Sequence, residues 1–311
     1  MPTVPVTPGA RAGARLLRTA FPLFGAAPRE IQALAPAGGA PTQIQVPSRH
    51  GSVTCLVYRP PTADQLVPPP VYVHFHGGAF IVRAPEQDDH VCRFVADAAH
   101  AVVVSVNYDT APAVRYPVAE HQAYDIAEWI RLHGKDFGWD SARLAVGGLS
   151  AGSKLAVNIC QQARDAGTPL PVALVSGYGA TDMTLPPGHR TSPAKHPAVA
   201  PWLIRLMYNT YFADPAARRE PLASPALDDD LAGFPPTLVM TGTLDAMAPE
   251  SDCFARRLAA SGVAVTHESF PESDHGFTHG KPADVARRSL ELIAAHLRTA
   301  YAAAPPRPDS D

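Results

Sequence analysis

Short apolar segments alternate with helix-like segments over most of this 311-residue chain, and this alternation constrains the fold more than any other feature. Residues 71–75 and 101–106 are strand-like apolar runs, and the second is apolar along nearly its whole length, as in a strand covered on both faces. Pro117–His133 instead repeats its apolar residues at helical spacing and is followed by Gly134. The pattern predicts an α/β fold with a mainly parallel central sheet and helices on both faces.

The alternation stops once, from Thr181 to about Leu227, where the chain has no strand-like run, several prolines and an aromatic helical segment, Pro201–Phe212. An insertion this long between two core strands predicts a helical cap. Ligands of open α/β sheets bind at the carboxyl ends of the strands, so the cap would cover the site. We expect an N-terminal cap segment (1–45), an α/β core (46–180 and 228–301), a cap insertion (181–227) and a disordered tail (302–311).

Composition excludes several classes of protein. Lys and Arg number 26 against 29 Asp and Glu, a net charge of -3, which argues against a nucleic-acid partner because such proteins carry concentrated basic surfaces. A hydrophobic fraction of 46% argues against a disordered chain. No stretch approaches the ~20 apolar residues that cross a bilayer, so we expect no stable membrane insertion.

The four cysteines are scattered and include no CxxC pair, which removes the basis for a metal site. Four scattered cysteines in a chain of this size favour buried thiols and a reducing, cytoplasmic location over disulfides and secretion. The basic, partly apolar segment Arg11–Phe24 is compatible with a weak signal peptide or with a helix lying on lipid. We favour a cap helix over the pocket for this segment.

Residues 148–152 have the sequence Gly-Leu-Ser-Ala-Gly, which matches G-x-S-x-G. An apolar strand precedes the motif and a helix-like segment follows it, as a nucleophile elbow requires. In such an elbow the serine backbone is strained, its hydroxyl stands clear of the sheet, and only small residues fit around it. Ser150 is therefore the candidate nucleophile, and the alternative is a glycine-rich turn with a surface serine.

Serine needs a general base and a group that orients that base. Asp245 follows the apolar strand around residues 237–241, and His275 lies in the loop between the next strand and the last helix. Both positions lie at the sheet edge expected for Ser150, in the order serine, acid, histidine. Other candidates fit less well. The Asp274 side chain would point away from its neighbour's ring, Glu250 and Asp252 are expected in the first turn of a helix, and His279 lies four residues past His275 in a glycine-rich stretch.

His76, Gly77 and Gly78 follow a predicted strand. A tetrahedral intermediate carries a negative oxygen that needs backbone N–H donors, and consecutive glycines bring free N–H groups close to a substrate. Gly77, Gly78 and Ala151 are the expected oxyanion-hole donors. A glycine turn without function is the alternative.

Taken together, these motifs resemble the hormone-sensitive-lipase-like family of carboxylesterases, bacterial HGGG-motif enzymes of the α/β-hydrolase fold. The resemblance covers roughly residues 50–300 and is carried by His76–Phe80, Asn107–Pro112, Gly148–Gly152, Ser224-Pro225, Gly242–Asp245 and His275–Phe277. It implies hydrolysis of short- to medium-chain acyl esters through an acyl-enzyme, a cap built from the N-terminus and the insertion after the sixth strand, and no cofactor. It also implies the triad roles of Ser150, Asp245 and His275.

The chain departs from the family pattern at four positions: Leu149 for Asp or Thr, Ala79 for the third motif glycine, Ser153 for Gly, and Asp109 for Arg or Ser. None of the four removes a catalytic atom. Leu149 and Asp109 change the polar contacts around the elbow and argue against carrying over substrate preference from other members.

The sequence thus predicts a serine carboxylesterase with a small-molecule ester substrate. The substrate-binding residues are expected to be Phe80, Tyr108, Trp202 and Tyr208, although the cap aromatics would also serve simply to pack the cap on the core. Alternative functions are another serine hydrolase on this fold (amidase, formamidase or lactonase) and a non-catalytic ligand receptor. A homodimer is compatible with the sequence.

Overall fold

The computed structural model describes residues 5–24, 27–61 and 67–304. Within them, one sheet contains β1 (Thr42–Ser48), β2 (Gly51–Tyr58), β3 (Pro70–Phe75), β4 (Val102–Val106), β5 (Asp140–Leu149), β6 (Leu174–Gly177), β7 (Thr237–Gly242) and β8 (Val265–Phe270). The strand order is β1-β2-β4-β3-β5-β6-β7-β8. β1 and β2 are antiparallel to their neighbours, whereas the pairs from β4 to β8 are all parallel. The predicted α/β fold is confirmed.

Both faces of the sheet are covered by helices. The helices are α1 (Pro8–Phe24), α2 (Arg29–Gln32), α3 (Asp89–Ala98), α4 (Val118–His133), α5 (Ala151–Ala166), α6 (Pro201–Tyr211), α7 (Ala248–Ala260) and α8 (Ala283–Ala303). α4, α5 and α7 pack into one hydrophobic core, and α3 and α8 pack into the other. In the described ranges, no helix is both long and apolar enough to traverse a bilayer.

The two cores follow from the period of a strand. Successive side chains of a strand point to opposite faces, so an apolar run contributes to both layers. In β3, Val71 and Val73 belong to the core beneath α4 and α5, whereas Tyr72 belongs to the core beneath α3 and α8. Because β3, β5, β7 and β8 run in the same direction, their carboxyl ends lie at one edge of the sheet.

The segment between β6 and β7 contains α6 and no strand. α1 packs on α6, where Gly13 lies close to Leu206. A Cβ added at Gly13 would be 3.2 Å from Leu206 Cδ1, so the missing side chain lets the two helices approach. The predicted tail 302–311 lies outside the described residues from 305 onwards.

The first strand was missed by the sequence analysis. β1 pairs with β2 along its whole length, so Thr42–Gln45 belong to the sheet and the expected boundary at residue 45 lies inside a strand. β1 is an edge strand with a single fully buried side chain, Val46, and it contains Pro47, which edge strands tolerate. Its apolar signal is therefore too weak to stand out.

Candidate active site

Ser150 lies between the end of β5 and the start of α5, with φ 56° and ψ -118°. This conformation is strained for a residue other than glycine and is held by its surroundings. The N–H of Ser150 donates to the carbonyl oxygen of Gly177 (2.9 Å). A Cβ on Gly152 would overlap the carbonyl oxygen of Phe75, and one on Gly148 would overlap the backbone of Gly152. The glycines of the motif therefore allow the tight turn that raises the hydroxyl above the sheet edge.

Ser150, His275 and Asp245 form a hydrogen-bonded row. His275 Nε2 lies 2.8 Å from Ser150 Oγ, and His275 Nδ1 lies 2.9 Å from Asp245 Oδ2. A carboxylate only accepts hydrogen bonds, so Nδ1–H donates to Asp245 and the free Nε2 accepts the proton of the Ser150 hydroxyl. Asp245 is fixed in turn, because its Oδ1 accepts from the N–H of Met247 (2.9 Å).

The row raises the basicity of the imidazole. Burial alone would lower the pKa of His275, but the Asp245 carboxylate outweighs burial and raises the pKa above its usual 6.5. The arrangement can therefore remove a proton from serine and hold it on the imidazole.

The other carboxylates near the row have different partners. Asp274 accepts the backbone N–H groups of His275 (2.7 Å) and Ala198 (2.8 Å), so it braces the loop. Glu250 is paired with Arg190 (2.8 Å), and Asp252 lies beside His267. Asp245 is the carboxylate on the ring of His275, as the sequence predicted.

Gly77, Gly78 and Ala151 surround the hydroxyl. A Cβ at Gly77 would lie 3.2 Å from the Cβ of Ser150, which shows how closely the glycine loop approaches the elbow. No atom of the described residues accepts a hydrogen bond from the N–H groups of these three residues. Free amide donors beside a serine hydroxyl are what an oxyanion requires.

The glycine loop is supported from beneath by His76 and Tyr108. Burial lowers the pKa of His76 to about 4, so its ring is neutral, and its Nδ1 donates to the carbonyl oxygen of Gly77 (2.6 Å). The Tyr108 ring stacks on His76 at 4.4 Å, and its hydroxyl donates to the His76 carbonyl oxygen (2.8 Å). Rigid backing keeps the N–H groups in place.

A cavity of about 470 Å³ opens between the sheet edge and the cap. Its walls are predominantly apolar, and Leu17 and Phe21 of α1 face Trp202 and Met207 of α6 across it. Ser150, His275, Gly77, Gly78 and Ala151 all line it. The volume is within the range of small-molecule sites, so the hydroxyl faces a pocket rather than open solvent.

Two of the four predicted substrate-binding residues line this cavity and two do not. Phe80 and Trp202 are in the wall. Tyr108 lies beneath the glycine loop, as described above. Tyr208 points away from the cavity: its hydroxyl accepts from Arg190 (2.7 Å) and donates to the carbonyl oxygen of Leu185 (2.9 Å). Tyr108 and Tyr208 are therefore outside the cavity lining, and their hydroxyls instead bond loop and cap residues.

Sequence reasoning also missed part of the lining. Leu17 and Phe21 are one helical turn apart on α1, a spacing that would have identified them once the helix was placed over the site. Tyr178 packs its ring against the edge of His275, with centroids 4.9 Å apart. Asp88 and His279 also line the cavity, and no local pattern marks either of them.

The cysteines lie outside the hydrogen-bonded row. The four cysteines are free thiols, three of them buried, and burial raises the pKa of Cys55 to about 12. In the part of the chain that the structure describes, no group of three or more His, Cys, Asp or Glu side chains is arranged to hold a metal ion. Buried thiols with raised pKa values are poor nucleophiles.

The chain is similar to known esterases. A family model described as alpha/beta hydrolase fold matches residues 72–279. Esterase LipI of Mycobacterium tuberculosis is 32% identical over 230 residues, which are 73% of this chain and 71% of that protein. Acetyl-hydrolase of Streptomyces hygroscopicus is 33% identical over 232 residues, 73% of this chain and 75% of that protein.

The solved structure of a hyperthermophilic esterase from Pyrobaculum calidifontis superposes with a TM-score of 0.84 at 30% identity and covers 95% of this chain and 99% of its own. The match extends through the cap as well as the core. The chain therefore belongs to the hormone-sensitive-lipase-like carboxylesterase family of the α/β-hydrolase fold.

Proposed function

We propose that the protein is a serine carboxylesterase that hydrolyses short- to medium-chain acyl esters through an acyl-enzyme intermediate. The observation that carries the proposal is the hydrogen-bonded row of Asp245, His275 and Ser150, with distances of 2.9 and 2.8 Å. The acetyl-hydrolase activity for which a relative is named supports an acyl ester as substrate.

Acylation uses the row directly. Ser150 Oγ attacks the ester carbonyl carbon while His275 Nε2 accepts the hydroxyl proton. Asp245 holds the ring with Nε2 toward the serine and stabilises the imidazolium. When the intermediate collapses, the imidazolium returns the proton to the alcohol oxygen, and the alcohol leaves.

The negative oxygen of the intermediate is the largest electrostatic demand of the reaction. The unpaired N–H groups of Gly77, Gly78 and Ala151 lie beside Ser150 and would donate to it. One such donor contributes roughly 3–4 kcal/mol to the transition state. The positive end of the α5 helix dipole at Ala151 acts in the same direction.

Deacylation repeats the chemistry with water. His275 removes a proton from water, the hydroxide adds to the acyl carbon, and Ser150 leaves with the proton that His275 returns. The apolar walls of the cavity, which include Phe80 and Trp202, suit an acyl chain. A pocket of about 470 Å³ accommodates short and medium chains.

We further propose that the protein acts in a reducing compartment, the cytoplasm. The four cysteines are unpaired, and Cys55, Cys92 and Cys160 are buried thiols. A homodimer is also compatible with the proposed function. Size-exclusion chromatography with light scattering would measure the oligomeric state.

Hydrolysis of p-nitrophenyl esters of graded acyl length tests the activity. We expect turnover that is highest for short to medium chains. Ser150→Ala should lower kcat by about 10⁶-fold, since loss of the nucleophile removes the covalent route. A fluorophosphonate should label the native protein at Ser150 and leave the variant unlabelled, as followed by intact mass.

Two outcomes would change the conclusion. Folded protein without turnover on any ester would refute the esterase proposal. Faster turnover of a matched anilide or of a lactone than of the ester would instead assign one of the other serine-hydrolase activities.

A further inference from the structure

A second chain of hydrogen bonds runs beside the triad. Asp88 Oδ1 lies 2.8 Å from His279 Nε2, and its Oδ2 lies 2.7 Å from His74 Nε2. On the other side of the imidazole, His279 Nδ1 is 2.8 Å from Thr278 Oγ1, which is 2.5 Å from the hydroxyl of Tyr178. Its members, in order, are His74, Asp88, His279, Thr278 and Tyr178. None of them has a role in the mechanism above.

Asp88 is the charged centre of this hydrogen-bond network. Only 1% of its side chain is exposed. Burial alone would raise the pKa of Asp88, but the hydrogen bonds from His279 and His74 outweigh burial and hold the pKa well below its usual range. A buried carboxylate with both oxygens paired makes a directional contact that is costly to break.

The contact joins the two loops on which the chemistry depends. His279 is four residues after His275 in a loop that also contains Gly276 and Gly280. Asp88 ends a short 3₁₀ turn, Pro85–Asp88. Its neighbour Gln87 donates from Nε2 to the carbonyl oxygen of Gly77 (3.0 Å) in the oxyanion loop. We call the loop that carries His275, between β8 and α8, the base loop, and the loop with Gly77 and Gly78 the oxyanion loop. The Asp88–His279 bond therefore connects the base loop to the segment that holds the oxyanion loop.

At the other end of the hydrogen-bond network, Tyr178 contacts the general base, His275. Tyr178 packs edge-on against the His275 ring, with centroids 4.9 Å apart at 66°. Its hydroxyl is bonded to Thr278, so this ring is held by the residue next to His279. On its N-terminal side, the base loop is anchored separately, by Asp274 on the N–H of Ala198. On its C-terminal side the loop is anchored by the Asp88–His279 bond and by His90 Nε2, which donates to the carbonyl oxygen of Thr278 (2.9 Å).

We infer that Asp88 and His279 are positioning residues, which hold the His275 ring and the Gly77 carbonyl at a fixed separation so that general base and oxyanion donors act on the same carbonyl group. The inference rests on the proposed esterase function. Neither residue gives or takes a proton in the reaction. Displacement of a catalytic group by about 1 Å costs on the order of 100-fold in rate, which sets the scale of the effect.

The experiment compares His279→Ala with the conservative His279→Gln on one p-nitrophenyl ester at a temperature well below unfolding. We expect His279→Ala to lower kcat by about tenfold to 100-fold and to change KM by less than about twofold. His279→Gln should recover most of kcat, because the Gln amide can donate to Asp88 where the imidazole did. The rate of fluorophosphonate labelling of Ser150 should fall in parallel with kcat.

A remote histidine–aspartate pair is the matched control. His267 on β8 lies 3.0 Å from Asp252 and does not line the cavity, so His267→Ala should leave kcat within about twofold of the native value. Asp88→Asn should lower kcat at least as much as His279→Ala, because it also weakens the bond to His74. The double variant should lose no more than Asp88→Asn alone, since both changes act on the Asp88–His279 contact.

The outcomes distinguish a failure of the proposed esterase function from a failure of the positioning role. Native protein that turns over no ester refutes the proposed function. Active native protein, with a folded His279→Ala that keeps kcat and the labelling rate within twofold, overturns the positioning role alone. Equal losses in His279→Gln and His279→Ala, a loss in His267→Ala of the same size, or additive losses in the double variant also overturn it.

Discussion

The edge of the sheet and the cap above it supply the two halves of the cavity, but sequence determines them in different ways. At the edge, Ser150, Asp245 and His275 each follow a strand of the sheet, and chain topology brings them to the same edge. In the cap, Trp202 and Tyr208 lie on the same helix, yet Trp202 lines the cavity and Tyr208 does not.

The difference lies in what fixes each side chain. The position of a residue that follows a strand is set mainly by the register of the sheet. A residue on α6 has its direction set by how the helix is rotated about its axis. The lining positions Leu203, Ile204 and Met207 share one face of α6. Trp202, in the first turn, lies off that face and lines the cavity while remaining 57% exposed. Tyr208 is one turn after Ile204, but Arg190 and Leu185 hold its hydroxyl. Position along the chain therefore predicts which strand-end residues come together at the sheet edge better than it predicts which cap residues line the cavity.

The largest effect is expected at the sheet edge. Asp245→Asn should lower kcat by about 10⁴-fold, as the equivalent change does in a serine protease, because the amide no longer holds the imidazole tautomer with Nε2 toward Ser150. The measurement is kcat on a p-nitrophenyl ester, with melting temperature as the check on folding.

Asp274→Asn is the matched control for that change. Asp274 is adjacent to His275 in sequence but bonds only backbone N–H groups, so we expect a loss of less than about tenfold. The pH profile gives a second readout. Asp245 raises the pKa of His275, so Asp245→Asn should lower that pKa and move the acid limb of residual kcat/KM to lower pH. A larger loss in Asp274→Asn than in Asp245→Asn would reverse the assignment.

A buried ion pair tests how firmly the cap is tied to the core. Arg190 in the cap insertion and Glu250 on α7 lie 2.8 Å apart, with side chains 2% and 4% exposed. Arg190→Met should lower the free energy of unfolding by about 3–5 kcal/mol, since it leaves Glu250 buried without its partner. Chemical denaturation measures the change.

The exposed Arg49–Asp125 pair (2.6 Å) is the control, and Arg49→Met should cost less than about 1 kcal/mol. Adding Glu250→Gln to Arg190→Met should restore most of the lost stability, because no buried charge then remains. A loss of similar size in Arg49→Met and Arg190→Met would contradict a special role for burial.

The sequence predicted the parallel core, the triad and the glycine loop because each depends on local pattern: strand period, elbow glycines and residues just after strands. It missed β1, whose polar edge strand buries little. It could not predict the Asp88–His279 contact, since the two residues are 191 positions apart and neither lies in a motif. Contacts between loops depend on side-chain packing that a single sequence does not encode in any short pattern.

On the cap side, Trp202 is placed to contact an acyl chain. Its ring lines the cavity and is 57% exposed, so it offers an acyl chain an apolar surface at the rim. Trp202→Ala should leave kcat/KM for an acetyl ester within about twofold and reduce it about tenfold for an octanoyl ester. Tenfold corresponds to about 1.4 kcal/mol, the loss expected when roughly two CH₂ groups, at ~0.8 kcal/mol each, lose their contact with the ring. Kinetics over graded chain lengths measure the slope.

Leu16→Ala is the control for Trp202→Ala. Leu16 is an exposed apolar residue of α1 that does not line the cavity, so its removal should not change the slope. Equal losses at every chain length in Trp202→Ala would show that the ring supports the cap and does not contact the acyl chain.

The smallest effect is expected at Ala79, where the glycine loop departs from the family pattern. Ala79 has φ 53°, a left-handed conformation that costs a residue with a Cβ about 1–2 kcal/mol. Ala79→Gly removes this strain but adds about 0.5–1 kcal/mol of chain entropy to be lost on folding. We therefore expect the free energy of unfolding to rise by about 0.5 kcal/mol, with kcat unchanged within about twofold.

Gly78→Ala should act in the opposite direction, because Gly78 has φ 128° and a Cβ there would lie 2.9 Å from Val82. A clear loss of stability in Ala79→Gly would mean that the Ala79 methyl group packs against the cavity wall strongly enough to outweigh backbone strain, and the loop would then be shaped by side-chain contact, as the cap is, rather than by backbone conformation.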